Sequence, residues 1–124
     1  MLDKAKLTAF VVTTDAARAR RFFGDILGLR IDGEDDFALV VDANGTKIRV
    51  TKMKEWTPLQ HTVLGWEVTD IEGSVRGLVE RGVAFEKYGF LEQDALGIWK
   101  APGGTARVAW FKDPDGNVLS LQQA

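Results

Sequence analysis

Side chains able to hold an ion or move a proton are scarce in this chain. His61 is the only histidine, and there is no cysteine. A thiolate nucleophile, a cysteine-ligated zinc and a disulfide are therefore excluded. So is the two-histidine, one-carboxylate iron site of non-haem oxygenases, which needs a second imidazole. What remains is acid–base and anion chemistry. Glu67, if set in a partly apolar surrounding, could serve as a general base, and His61 could move a proton in the same way. Arg49 could grip a carboxylate or phosphate through its planar fork of donors, or steady negative charge on an oxygen. Each also has a plainer role: a surface histidine, an exposed carboxylate, an ion pair of Arg49 with Glu67. Four tryptophans add flat apolar surface of the kind that builds pockets and stacks on planar ligands. Trp66 and Trp110 fall in strand-like runs and read as core, whereas Trp56 and Trp99 fall in connecting segments. Trp99, near Tyr88 and Phe90, is the one expected to cover a ligand.

The elements that must position these residues come as a repeat. Leu7 to Gly28 and Thr62 to Gly82 each read as an apolar run, an Asp, and a helical pattern ended by Gly, with Asp15 and Asp70 in corresponding places 55 residues apart. In the first unit Ala16, Ala19, Phe22, Phe23, Ile26 and Leu27 recur every three or four residues, as one buried helix face requires. In the second, Ile71, Val75, Leu78 and Val79 do the same, and Asp70 or Thr69 can cap the first free amides. Each helix is followed by a hairpin signal. Asp42-Ala43-Asn44-Gly45 lies between the runs 37–41 and 47–51, and Asp113-Pro114-Asp115-Gly116 between 107–111 and 118–122. The two turns are 71 residues apart, so the second unit is 16 residues longer, and the excess falls in a Gly- and aromatic-rich stretch at about 86–104. Loops of that length inside compact domains are usually functional or mobile. With Arg30–Ile31 and Val83–Lys87 as the weakest strands, the pattern predicts α+β architecture: two βαβββ modules in one domain spanning 1–124, module 1 at about 5–53 and module 2 at about 61–123.

Composition sets the outer bounds. The 124 residues are 45% hydrophobic and 27% charged, as in ordinary globular domains. The net charge of -2 comes from 16 basic and 18 acidic side chains interspersed along the chain, which leaves no basic stripe for nucleic acid. Asp3, Lys4 and Lys6 open the chain and no apolar run exceeds a strand in length, so neither a signal peptide nor a membrane span is expected, and the cytoplasm is the expected compartment.

The two βαβββ units, the run Phe-Phe-Gly-Asp-Ile-Leu-Gly-Leu at 22–29 and the closing Phe-Lys-Asp-Pro-Asp-Gly-Asn-Val-Leu-Ser-Leu at 111–121 resemble the vicinal oxygen chelate superfamily of glyoxalases, bleomycin-resistance proteins and dioxygenases. The resemblance covers nearly the whole chain. It implies that each module curls its mixed sheet into half a cup, helices outside, and that two modules close the cup around a ligand. It further implies that members with metal chemistry hold the ion with His, Glu or Gln from the first and last strands of each module. Those positions fall here on Thr8, Arg49, Val63 and Ser120, and Val and Arg offer a divalent ion nothing. No metal and no cofactor are expected.

Counting alternate residues from these four positions places Thr8, Phe10 and Val12, then Lys47, Arg49 and Thr51, then Val63, Gly65 and Glu67, then Val118, Ser120 and Gln122 toward the cup. Ile48, Val50, Leu64, Trp66, Val68, Leu119 and Leu121 should meet the helices. The expected ligand-binding set is Thr8, Phe10, Arg49, Val63, Glu67, Trp99, Ser120 and Gln122, and the candidates for catalysis are Glu67, Arg49 and His61. The leading expectation is a binding protein for an aromatic or anionic small molecule. The alternatives are a metal-independent isomerase or lyase using Glu67 and Arg49, and a non-catalytic dimeric interaction module. A homodimer, closing either cup within a chain or across two chains, is expected in any case.

Overall fold

Each helix starts where an aspartate can hold a free amide. The computed structural model describes residues 1–124, which form two compact units, Met1–Thr57 and Pro58–Ala124. In the first, the Asp15 carboxylate accepts from the Arg18 amide at 3.0 Å and opens helix α1 at Ala16–Arg20. The helix continues over Arg21–Ile26 with π geometry, the Leu27 amide reaching back to the Phe22 carbonyl at 2.9 Å. The wider turn lets consecutive Phe22 and Phe23 both be buried, their rings edge to face with centroids 5.2 Å apart. Gly24 lets this helix lie close on the sheet, since a Cβ there would stand 3.3 Å from Ile31. Gly28, at φ 74°, ends it in the left-handed region.

The first sheet orders its strands β1-β4-β3-β2, with β1 at Thr8–Thr13, β2 at Arg30–Glu34, β3 at Ala38–Ala43 and β4 at Thr46–Lys52. Strands β1 and β4 run parallel, and the other pairs are antiparallel. The Asn-Gly signal forms the tight β3–β4 turn, Asn44 at φ 49° and Gly45 at φ 98°. Val11, Leu39, Val41, Ile48 and Val50 alternate onto the face covered by α1 and are buried there with Ala19, Phe22 and Phe23. Each such side chain contributes about 1.5–3 kcal/mol through burial.

The second unit repeats the plan. Asp70 accepts from the Gly73 amide at 3.1 Å and opens α2, Ile71–Glu80, which buries Ile71 and Val75. Its sheet orders β5-β8-β7-β6, with β5 at Thr62–Glu67, β6 at Trp99–Lys100, β7 at Arg107–Lys112 and β8 at Val118–Gln123. Strands β5 and β8 are parallel, like β1 and β4. The fold is therefore α+β with two βαβββ modules, and no helix in it is long and apolar enough to cross a membrane.

The edge strand of this sheet departs from expectation. Val83–Lys87 does not form the strand that its pattern predicts. It contributes one bridge, Phe85 to Phe111, and one bond from the Glu86 amide to the Trp110 carbonyl at 2.8 Å. The rest of the edge is supplied by Trp99–Lys100 from inside the expected loop, paired with Val108 and Arg107. The edge strand is thus in two pieces, and residues 87–98 loop out between them. Gln93 ties that loop at its base. It accepts from the Tyr88 amide at 2.7 Å and donates to the carbonyls of Glu86 and Gly97 at 2.9 and 2.7 Å.

The Asp-Pro-Asp-Gly-Asn turn is a closed hydrogen-bond unit. The Asp113 carboxylate, almost fully buried, accepts from the Asp115 and Asn117 amides, both at 2.9 Å, and from Asn117 Nδ2 at 2.8 Å. Gly116 at φ 85° completes the turn, and a Cβ there would stand 2.9 Å from Pro58. Asp113→Ala leaves the two buried Asn117 donors without a partner, at about 1–3 kcal/mol for each. It should lower the calorimetric melting temperature by roughly 10 °C, whereas Asp113→Asn, which keeps one acceptor, should cost less than half as much.

Acid stability follows from the first module. Lys47 above all holds the Asp32 and Asp42 carboxyls below the usual 3.8, Lys52 holds Glu34 below 4.5, and the Phe37 and Ala38 amides hold Asp35 below 3.8. The unfolded chain therefore binds more protons than the native one near and below these values, and this contribution to stability is present above about pH 4.5 and lost as pH falls. Burial shifts Asp113 the other way, so it takes up its proton earlier in the native state. The melting temperature should fall on going from pH 5 to pH 3, and it should fall less when Asp32 and Asp42 are both replaced by Asn. An equal fall in that variant would show that these ion pairs do not carry the effect.

Candidate functional site

Strand pairing decides which side chains meet on the face of each sheet that its own helix leaves open. In the first module Phe10, Arg49 and Val40 form one row across β1, β4 and β3, and Thr8, Lys47, Asp42 and Arg30 form the next. Thr8, Phe10 and Arg49 are therefore brought together as expected, and Phe10 is 62% exposed. The charged row is tied within itself. Lys47 bonds Asp32 and, at 3.1 Å, Asp42, while Arg30 bonds Asp32 at 2.9 Å. Asp32 pushes the Lys47 and Arg30 cations to higher pKa, which keeps both charged. The guanidinium of Arg49 adds to the charges that favour the ionised Asp35.

In the second module Gly65, Ser120 and Trp110 form one row, and Glu67, Gln122, Val108 and Trp99 the next. Ser120, 3% exposed, donates to Gln122 Oε1 at 3.2 Å. Both side chains lean across Gly65, where a Cβ would stand 2.8 Å from Ser120 Oγ and 2.9 Å from Gln122 Oε1. Beside this polar pair runs a line of rings. Trp99 lies 6.1 Å from Trp110, Trp110 5.6 Å from Tyr88, and Tyr88 5.7 Å from Phe90, centroid to centroid. Burial, and after it the Glu86 carboxylate, raises the Tyr88 phenol.

The expectation that Trp110 is core is therefore corrected. It pairs with Ser120, so its ring stands on the open face, half-buried against Trp99 and Tyr88, while Trp66 pairs with Leu121 on the helix side. Counting back through the Asp-Pro-Asp-Gly turn from Ser120 would have found this, because residues paired across a turn share a face. Gly65 stands on the open face, as alternation places it, whereas Tyr88 carries no comparable signal. Val63 is the unpaired residue of a bulge between Thr62 and Leu64, so alternation does not carry through it. His61 is exposed and precedes β5, and Glu67 is exposed at its end.

Family comparison agrees with this architecture. The model of the Glyoxalase/Bleomycin resistance protein/Dioxygenase superfamily matches residues 6–121. The chain belongs to this superfamily. No curated protein matches it. Among solved structures, a superfamily member from Sphaerobacter thermophilus has a TM-score of 0.74 at 22% identity, with 100% of each chain covered. The fosfomycin resistance protein FosX from Listeria monocytogenes reaches 0.77 at 10% identity, over 98% of this chain and 93% of that one. Lactoylglutathione lyase from Agrobacterium tumefaciens gives 0.74 at 12% identity, over 98% and 94%. At such identities these likenesses speak for the fold.

The superfamily's metal positions can be tested against this chain's side chains. Thr8, Arg49, Val63 and Ser120 do not fit a divalent ion. Val63 has no donor, Arg49 brings positive charge, and the Ser120 hydroxyl is engaged with Gln122. No three His, Cys, Asp or Glu side chains gather anywhere as a ligand set.

The Gly65 contact gives a direct test of the open face. Gly65→Ala should cost about 1–3 kcal/mol, the usual range for overpacking. In a Ser120→Ala background, where the hydroxyl has gone, it should cost measurably less. A double-mutant cycle on chemical denaturation with a coupling indistinguishable from zero would mean that the Ser120 hydroxyl does not occupy that space.

Proposed function

We propose that this chain is a small-molecule-binding member of the superfamily that acts without a metal, and that its ligand lies on the open face of the second sheet. The observation that carries this reading is the line Trp99–Trp110–Tyr88 beside the Ser120–Gln122 pair. Flat apolar surface with a few convergent polar groups is the ordinary make-up of a small-molecule site. The rings supply area and a stacking surface, and Glu67 and the Gln122 amide, which Ser120 holds, supply orientation. The preferred ligand is planar and aromatic, with a hydrogen-bonding edge.

A catalytic reading has less support. Glu67 and His61 are exposed, and no side chain bonds either of them, whereas a positioned base needs a neighbour that fixes its direction. The metal-independent isomerase or lyase would require turnover of a small carbonyl or carboxylate compound that disappears in Glu67→Gln.

Tryptophan fluorescence and thermal shift against a library of planar aromatic compounds test the proposal, on protein whose metal content has been measured. Trp99→Ala and Trp110→Ala should each weaken binding about tenfold, as expected when a stacked ring contributes around 1.4 kcal/mol. Trp66→Phe, on the helix side, should lower the melting temperature and leave affinity unchanged. Full affinity in both Ala variants would refute the open-face site. Stoichiometric bound metal that governs ligand binding would refute the metal-free reading.

A further inference from the structure

The looped-out segment of the second module creates a feature that meets the open-face site only at the rings of Trp99 and Phe90. Between residues 90–94 and the strand β6 with its following turn lies an open cleft of about 680 Å³. Phe90, Leu91, Ile98, Trp99 and Pro102 give it apolar walls, and Lys100 and Arg107 give it two cations. Ile98 is buried, whereas Phe90 is 84% exposed, an unusually open position for a phenyl ring.

The two cations are the informative part. Lys100 and Arg107 are directly paired across β6 and β7, so they stand side by side on one face. Like charges in that arrangement repel and destabilise the pair. Arg107 also pairs with Gln123, whose side chain caps the first amide of α2. The cations therefore lie toward the helix side of the sheet, opposite Ser120 and Gln122. Compensation from within the chain is slight. Arg107 reaches the exposed Glu72 at 3.4 Å and Gln123 Oε1 at 3.3 Å, both long contacts, and Lys100 has no ion-pair partner. Two carboxylates also line the cleft, but they differ in availability. Asp94 is held by the amides of Leu96 and Ile98, both at 2.9 Å, and Glu92 is exposed.

We infer that this cleft is a second binding site, for a small carboxylate that carries an apolar group. Its anion bridges Lys100 and Arg107, relieving their repulsion, and its apolar part lies against Phe90, Leu91 and Pro102. The cleft shares the Trp99 ring with the open-face site, but its cations stand on the other face, so Lys100 variants test it without altering Trp110, Ser120 or Gln122. A ligand here would also brace the 87–98 loop from which Tyr88 projects, which gives the cleft a route to the ring line. Gln93, which ties that loop, lines the cleft as well.

The probe is 3-phenylpropanoate, titrated into uniformly ¹⁵N-labelled protein and followed by amide shifts. Saturable shifts should centre on residues 90–94, 98–102 and 107. Lys100→Gln should weaken binding roughly threefold, within the range of an exposed charge pair, and Lys100→Glu should abolish it. The neutral analogue 3-phenylpropanamide should bind at least as weakly as the carboxylate binds Lys100→Gln. Trp110→Ala should leave the affinity unchanged, which separates this site from the open face. No saturation at millimolar probe, equal binding of the amide, or unchanged affinity in Lys100→Glu would each overturn the inference.

Discussion

The last strand of each module lies between the first and the third, parallel to one and antiparallel to the other, and the rest of the molecule follows from that placement. Strands β4 and β8 are the only ones in their sheets whose two edges are both taken up by their own module's first and third strands. Their registers therefore fix which residues of the neighbouring strands share a face. Ile48 and Val50, and likewise Leu119 and Leu121, are apolar and buried. A one-residue slip would turn them outward and bring Arg49 or Ser120 into the helix interface, a loss too large for any alternative pairing to recover. Hydrophobic burial on one face thus positions the polar residues on the other.

Because both modules share this scheme, equivalent places can be compared directly. The row Phe10–Arg49–Val40 in the first module corresponds to Gly65–Ser120–Trp110 in the second. The first puts its ring on the edge strand and a cation in the centre. The second removes the side chain at the edge, fills the space with Ser120 and Gln122, and moves the ring to the third strand. The same fold thus presents a charged face once and a stacked aromatic face once. Charged groups on the first face are engaged with each other through Lys47, Asp32, Asp42 and Arg30, which lowers their call on an external ligand. That asymmetry is why the second sheet is the better candidate for binding a neutral planar molecule.

Much of this architecture was legible from residue spacing. The helix caps Asp15 and Asp70, the Gly stops and the two hairpin turns are local signals, set by a few adjacent residues, and each appears where its chemistry places it. Alternation also carried Thr8, Phe10, Arg49, Ser120 and Gln122 to the open faces. What failed were places where a non-local interaction overrides the local pattern. Val83–Lys87 alternates like a strand, but most of the edge it would occupy goes to Trp99–Lys100, which arrives from beyond a loop that Gln93 closes through three bonds. Val63 breaks the count because a bulge inserts it, and Gly65, the one nearby residue of a kind found at bulges, does not say where the extra residue falls.

Trp110 was misplaced for a different reason, and it shows how aromatic residues should be read in folds of this kind. A tryptophan in a strand carries no information about face by itself, since a large apolar ring is at home on either side. The information lies in its partner. Ser120 had a face assigned through its distance from the turn, and the turn's geometry, closed by Asp113 and Asn117, links the two strands with no free register. The paired Trp110 had to follow. In a sheet with one covered face, the polar partner is the stronger indicator, because a serine or glutamine has a reason to avoid the helix interface that a tryptophan lacks. Applied to β6, the same logic puts Trp99 with Val108 and Gln122 and puts Lys100 with Arg107 and Gln123. The loop thus delivers an aromatic ring to one face and a cation to the other from two consecutive residues. One short edge strand can serve two faces only because the pleat turns successive side chains in opposite directions.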